Sequence, residues 1–346
     1  MKKQKTFLIK FAGAILHKVQ RRGIRLYSSK YSRHDFTQHQ HIVLLAVRQQ
    51  RAGTGYRRFL EEDLPDLTAF CEHLHLEKIP HFTTLHKAAK RFSRGLIDAL
   101  IAEFLVARRI RSLHLGIDAT GFSPTHASHH YTRCLLRPQR KCGPGRPRTR
   151  RRMRRFLHLT QFVELRTQLI AAASPRRGPR NDSPLFIPTA KKVRVPQRVA
   201  VVEADRGYDA EKNFAWTVEK WKAVPRIRLR NASLSVGRTR GRYRKAAKRR
   251  LHRPGRRPKN HRNKCETAFS VIKRCFGEAI LATSVKMQNK EILFRLLAYN
   301  ARKAAASLLL EVFYGAGRMK TLKRLQRQPP PCLTSSASSL RSATGL

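Results

Sequence analysis

The sequence predicts an α/β protein: a helical N-terminal region, then a mixed sheet flanked by helices. Three observations carry this expectation. Apolar residues recur at helical spacing from residue 35 to about 110. At residue 111 the period shortens to that of strands, and beyond it strand-length apolar runs alternate with strongly helical stretches. Four segments follow: a basic stretch at 1–34, a helical region at 35–110, a sheet-containing domain at 111–312 with a basic insertion at about 231–260, and a tail at 313–346. The tail turns from basic to Pro/Ser-rich and is expected to be disordered.

The elements are read in order. "MKKQKTFLIKFAGAIL" resembles a leader peptide in its basic start and apolar run, but Lys10 interrupts the run and no small-x-small site follows; a short amphipathic helix is expected instead. "HIVLLAVRQQ", "GYRRFLEEDL" and "DLTAFCEHLHL" have helical spacing, and Pro80 closes the series. "TTLHKAAKRFSRGLIDALIAEFL" is expected to run as one long helix, with Thr83 and Thr84 as candidate caps. Short helices with basic faces suit a helix-turn-helix DNA reader, and equally suit plain helical packing. "SLHLGID" then alternates as a strand ending at Asp118. "RRFLHLTQFVEL" and "TQLIAAAS" form a hairpin about Arg166, "QRVAVVEAD" is a buried strand ending on Asp205, and "AVPRIRL" is a fifth strand after a helical stretch. Residues 231–260 show no apolar periodicity. Two further helices follow, one containing Glu266 and one at "NKEILFRLLAYNARKAAASLLLEVF".

Charge bounds the partners. The chain of 346 residues carries 75 Lys and Arg against 21 Asp and Glu, a formal net charge of +54. Such an excess calls for a polyanion, and nucleic acid is the obvious one because phosphate contacts release condensed counter-ions. No single amphipathic segment concentrates the charge, and no stretch approaches the length of a membrane span, so a membrane is not expected as partner. The six cysteines form no C-x-x-C pair. Cys71, His73 and His75 could offer three ligands to zinc, but no matching second cluster supplies a fourth. Reduced thiols and a cytoplasmic, nucleoid-associated setting are the simplest assignment.

Against this background, Glu266 is the only acidic residue between Glu219 and Glu278. Two readings fit its spacing. It forms a surface ion pair with Arg262, one helical turn before it, or it is a carboxylate required for chemistry. The second reading gains from Asp118 and Asp205, because strand ends and a helix crossing the sheet can gather distant carboxylates. Two divalent ions close together need such a shared set of hard oxygen ligands, and can then drive in-line attack on a phosphodiester.

The segments "GIDATGF", "RRGPRNDSPLF", "VVEADRGYDAEKN", "RNKCETAFSVIKRCFG" and "NKEILFRLLAYNARKAA" resemble, in order over about residues 80–310, the DDE transposases of bacterial and archaeal insertion sequences. Within these they are similar to the group with a Y-R-E-K signature around the third acid. The resemblance implies an RNase H-like catalytic domain with an N-terminal DNA-binding region. It implies that Asp118, Asp205 and Glu266 are the catalytic acids and bind two Mg²⁺ ions, with Mn²⁺ able to substitute. The R-x3-E-x6-K spacing is met by Arg262, Glu266 and Lys273, residues linked in the family to holding DNA near the scissile phosphate. The signature Tyr is replaced by Lys259, which can still touch phosphate. The partners implied are double-stranded DNA, as terminal inverted repeats and target, and further copies of the chain in a synaptic complex. Two rival readings remain: a decayed or repurposed transposase that only binds DNA, and a basic RNA-binding structural protein, which has no use for three ordered carboxylates.

Smaller candidates have simpler roles. Asp182 is expected as a helix N-cap beside Ser183, and Asp209 as part of a first helical turn rather than a support for the metal site. His126, His129 and His130 are expected in a solvated or DNA-facing hairpin, "GPGRPRTRRRMRR" as a nonspecific phosphate binder, and Trp216 and Trp221 as core.

Overall fold

The computed structural model describes residues 2–106, 110–124, 156–178, 181–251 and 261–314. Lys259, the three histidines at 126–130, the Arg-rich stretch that follows them and the tail lie outside the described residues. The chain divides into two compact units, one of residues 1–104, 269–277 and 294–346, the other of 105–268 and 278–293.

The first unit is helical: α1 (Lys2–Arg21), α2 (Gln38–Gln49), α3 (Tyr56–Arg58, continuing into a π-helical turn Phe59–Asp63), α4 (Thr68–His73), α5 (Phe82–Arg91) and α6 (Arg94–Val106). A capping box starts α2: the Thr37 side chain accepts from the Gln40 backbone, and the Gln40 side chain accepts from the Thr37 backbone. The single long helix expected after Pro80 is two. The backbone leaves helical geometry at Phe92 (ψ 125°), and the Ser93 hydroxyl accepts the Leu96 N–H to start the next helix. Thr83 and Thr84 do not cap; they lie inside α5, whose N-cap position is His81. From Phe294 onward the last helix belongs to this unit, and three of its buried polar side chains are bonded within it. Arg295 donates to the Gly277 carbonyl (2.9 Å) and the Gln49 amide oxygen (3.3 Å), Arg302 to Gln50 (2.9 Å) and Asn300 to the Ile101 carbonyl (3.0 Å).

The second unit is built on a sheet of β1 (Ser112–Pro124), β2 (Leu157–Glu164), β3 (Ile170–Arg177), β4 (Arg198–Ala204), β5 (Val224–Ile227) and β6 (Ala279–Ile280). The order is β3-β2-β1-β4-β5, with β6 pairing the end of β1. The first three strands are antiparallel, while β4, β5 and β6 run parallel to their neighbours. This mixed sheet flanked by helices is the RNase H-like arrangement. The helices are α7 (Phe186–Ala190), α8 (Glu211–Glu219), α9 (Arg242–Leu251), α10 (Asn263–Phe276) and α11 (Val285–Tyr314), the last two continuing into the first unit.

The structure departs from the sequence expectation at several points. β1 does not end at Asp118: Ala119 to Phe122 continue the ladder against Thr160 to Leu157, so Asp118 is mid-strand. The basic insertion contains α9, formed because carboxylates from elsewhere hold it. Glu211 accepts the Tyr243 and Arg244 backbone N–H groups (2.7 and 3.1 Å), and Asp209 grips the Arg244 guanidinium at two points, both 2.7 Å. Asp209 thus lies between a 3-10 turn and α8 rather than inside a first helical turn. Finally, Asp182 makes no capping bond; its carboxylate meets His158 at 3.0 Å. Trp216 and Trp221 are half-buried rather than core, Trp221 packing on Phe162 and Phe186.

Candidate active site

The sheet itself brings the first two acids together. In the parallel β1–β4 ladder Ile117 is paired with Ala204, so Asp118 and Asp205 come next on adjacent strands at the same level. Paired residues of a ladder project to the same face, which places Asp205 beside Asp118 although 86 residues separate them in sequence. Asp205 leaves the ladder in extended geometry (φ −80°, ψ 174°) as the chain enters the turn Arg206–Tyr208.

The third acid arrives on α10. Its apolar face carries Cys265, Ala268 and Ile272, all fully buried. The helix packs tightly on Gly116, two residues before Asp118: a Cβ built there would lie 2.4 Å from the Cys265 sulfur and 2.7 Å from Leu165 Cδ2. Only glycine permits that approach. Because Cys265 sits against the strand, Glu266 and Arg262 are delivered to the carboxylates.

At the centre is a guanidinium. Arg262 Nη2 lies 2.7 Å from Glu266 Oε1, and Nη1 lies 3.9 Å from both Asp118 Oδ2 and Asp205 Oδ2. The Arg262–Glu266 ion pair considered from spacing is therefore formed, and it is part of a four-residue cluster rather than an isolated surface contact. Asp118 and Glu266 differ in exposure, with 20% and 57% of their side chains open to solvent. Burial raises the Asp118 carboxyl above its usual range; the Ala119 N–H and the Arg262 guanidinium pull it back, while Glu266 and Asp205 push it up. Lys273 lies seven residues after Glu266 on α10, about 10 Å along the axis and close to the same face. Sequence reasoning named every acid of this cluster, but gave Arg262 a place beside it rather than within it.

A second polar cluster, absent from the sequence expectations, lies in the same unit. Buried Glu203 on β4 accepts from His114 (2.9 Å), Arg226 (3.4 Å) and the His261 backbone N–H (2.8 Å). Burial would raise its carboxyl, yet these partners together hold it below the ordinary glutamate range. His261 immediately precedes Arg262, so this bond fixes the chain where α10 begins.

Three carboxylates are the donor set a hard divalent ion takes, so the residues fit such a group in kind. As they stand around the guanidinium they are apart: among the described residues, no three Asp, Glu, His or Cys side chains lie close enough together to hold one ion.

Comparison with known proteins supplies the class to which this sheet belongs. Residues 112–301, more than half the chain, match the family described as "Transposase DDE domain". The chain belongs to that family, the DDE-class transposases. No curated protein matches it. Among solved structures it is similar to a piggyBac transposase synaptic complex with hairpin DNA, determined by cryo-EM. That likeness is slight, with 12% identity and a TM-score of 0.37 over 97% of this chain and 87% of that one. Among the described residues no helix is long and apolar enough to cross a membrane.

Proposed function

We propose that this transposase hydrolyses phosphodiesters at the ends of its element and joins the freed 3′-hydroxyl to target DNA, with Asp118, Asp205 and Glu266 as its catalytic acids. The observation that carries the reading is the convergence of all three on one guanidinium. Asp118, Asp205 and Glu266 would hold two Mg²⁺ ions, or Mn²⁺ in their place, which when bound activate the attacking oxygen and stabilise the leaving one. The remaining work belongs to the chain's own groups. Arg262 and Lys273 steady the DNA backbone, and Lys259 contributes a further positive charge to phosphate. Arg262 suits this role because a guanidinium engages phosphate at two points. Double-stranded DNA, as terminal repeats and as target, is the substrate; the net charge of +54 supports a polyanion partner. The helical region at 35–110 serves as a DNA-binding region, and two ends are joined by further copies of the chain in a synaptic complex. The setting is cytoplasmic, at the nucleoid.

The test is cleavage of a labelled duplex carrying the gene's own flanking ends, with Mg²⁺ or Mn²⁺ at one fixed salt concentration. Wild type is expected to cut at the ends, while Asp205→Ala and Glu266→Gln bind the duplex without cutting. Binding without cutting by folded wild type would instead favour a protein that has kept only DNA binding, the reading that Lys259 in the signature Tyr position supports.

A further inference from the structure

We propose that Arg262 is an internal counter-cation that occupies the carboxylate cluster in the metal-free protein and leaves it when a DNA phosphate docks, so that divalent-ion binding is coupled to DNA binding. This rests on the active-site reading above. The residue has been given one role, contact with DNA, yet its guanidinium is turned inward, with only 20% of the side chain exposed.

The contacts are unequal. The 2.7 Å bond to Glu266 is a charge-assisted hydrogen bond, whereas the 3.9 Å approaches to Asp118 and Asp205 are ionic contacts beyond hydrogen-bond range. One cation is thus anchored by one acid and shared loosely by two, an arrangement that neutralises part of their mutual repulsion without locking it in place. A divalent ion needs direct contact with the same carboxylates at about 2.0–2.1 Å, and there it would be repelled by the guanidinium's positive charge beside it. Ion and arginine therefore compete. A phosphate diester offers the guanidinium a replacement partner with matching two-point geometry. Once the side chain turns to the phosphate, three carboxylates are left with no shared cation among them, and their affinity for divalent ions rises. Linkage makes the effect reciprocal: ions bound at the acids strengthen DNA binding. The protein is thereby kept from assembling its cutting centre away from DNA.

The experiment titrates full-length protein with Mn²⁺, followed by loss of the free-ion electron paramagnetic resonance signal, with and without a short duplex whose own Mn²⁺ uptake is subtracted. In wild type the duplex is expected to tighten Mn²⁺ binding by about tenfold or more. Arg262→Gln is expected to bind Mn²⁺ without DNA about tenfold more tightly than wild type and to lose most of the gain on adding duplex. Arg262→Lys, which keeps the charge on a narrower head, is expected to fall between them, and it serves if Arg262→Gln does not fold. Equal or weaker Mn²⁺ binding by the Arg262 variants, or a duplex-induced gain that survives in them, overturns the coupling. Asp118→Asn/Glu266→Gln separates the two levels. If it loses Mn²⁺ while the Arg262 variants match wild type, only the competition fails. If it binds Mn²⁺ as wild type does, the active-site assignment itself fails.

Discussion

Gly116→Ala isolates the contact that positions the third acid. The added Cβ would stand 2.4 Å from the Cys265 sulfur, where ordinary contact begins about 1 Å further out. Leu165 Cδ2, at 2.7 Å, is the end of a flexible side chain and can rotate away. The sulfur is only two bonds from the Cys265 Cα and is fully buried, so relief there comes from displacing α10 by up to about 1 Å. Overpacking of this kind costs about 1–3 kcal/mol in stability. Its effect on the reaction is larger, because a shift of about 1 Å in reacting groups can slow a reaction about a hundredfold. Urea unfolding and the initial rate of end cleavage, measured on the same preparations with duplex affinity as a control, read the two effects separately. Adding Cys265→Ala removes the colliding sulfur and is expected to restore most of the rate. A Gly116→Ala protein that loses stability but cuts at the wild-type rate would refute the claim that this approach sets the position of Glu266.

Two other outcomes follow from the same geometry. Arg244→Ala leaves the Asp209 carboxylate, whose side chain is 1% exposed, without its cation; a loss of about 3–5 kcal/mol in urea unfolding is expected, and a loss under 1 kcal/mol would contradict the pairing. His41 is buried on α2, and burial first, then the nearby Arg91, lowers its pKa from 6.5 to about 4. It therefore stays neutral in the fold while the unfolded chain takes up a proton. Stability is full above pH 6.5 and falls as pH drops toward 4, by on the order of 3 kcal/mol in total. Urea midpoints at pH 7 and 4.5 for wild type and His41→Gln check this, the variant showing the smaller decline.

The three acids were singled out by local patterns, a strand running into Asp118, a strand stopping at Asp205 and a lone Glu in a basic helix, and grouped by the family resemblance. What could not be read were partnerships across long separations. The end of β1 was placed too early because Thr120 and Gly121 carry no apolar alternation; their ladder partners on β2 hold them in the sheet. The helix inside the basic insertion was invisible because its N-terminus is capped by Glu211, 32 residues away, rather than by a neighbour. The two-residue strand β6 is too short for any period to register. The break at Phe92 lay inside a convincing helical pattern, and only the Ser93 cap marks it. Arg262 was recognised by type and spacing, but its place among all three acids depends on the register between β1 and β4.

That register has a consequence for how the protein can fail. A strand displaced by one residue turns its alternate side chains to the opposite face of the sheet. If β4 settled one step out against β1, Asp205 would point away from Asp118, while the apolar run Val199 to Val202 could still bury much of its surface. Such a molecule would be compact and basic, and inert. Specific activity per folded molecule is thus also a measure of folding fidelity: a preparation can be monodisperse, bind DNA and still be partly composed of chains whose two aspartates never meet.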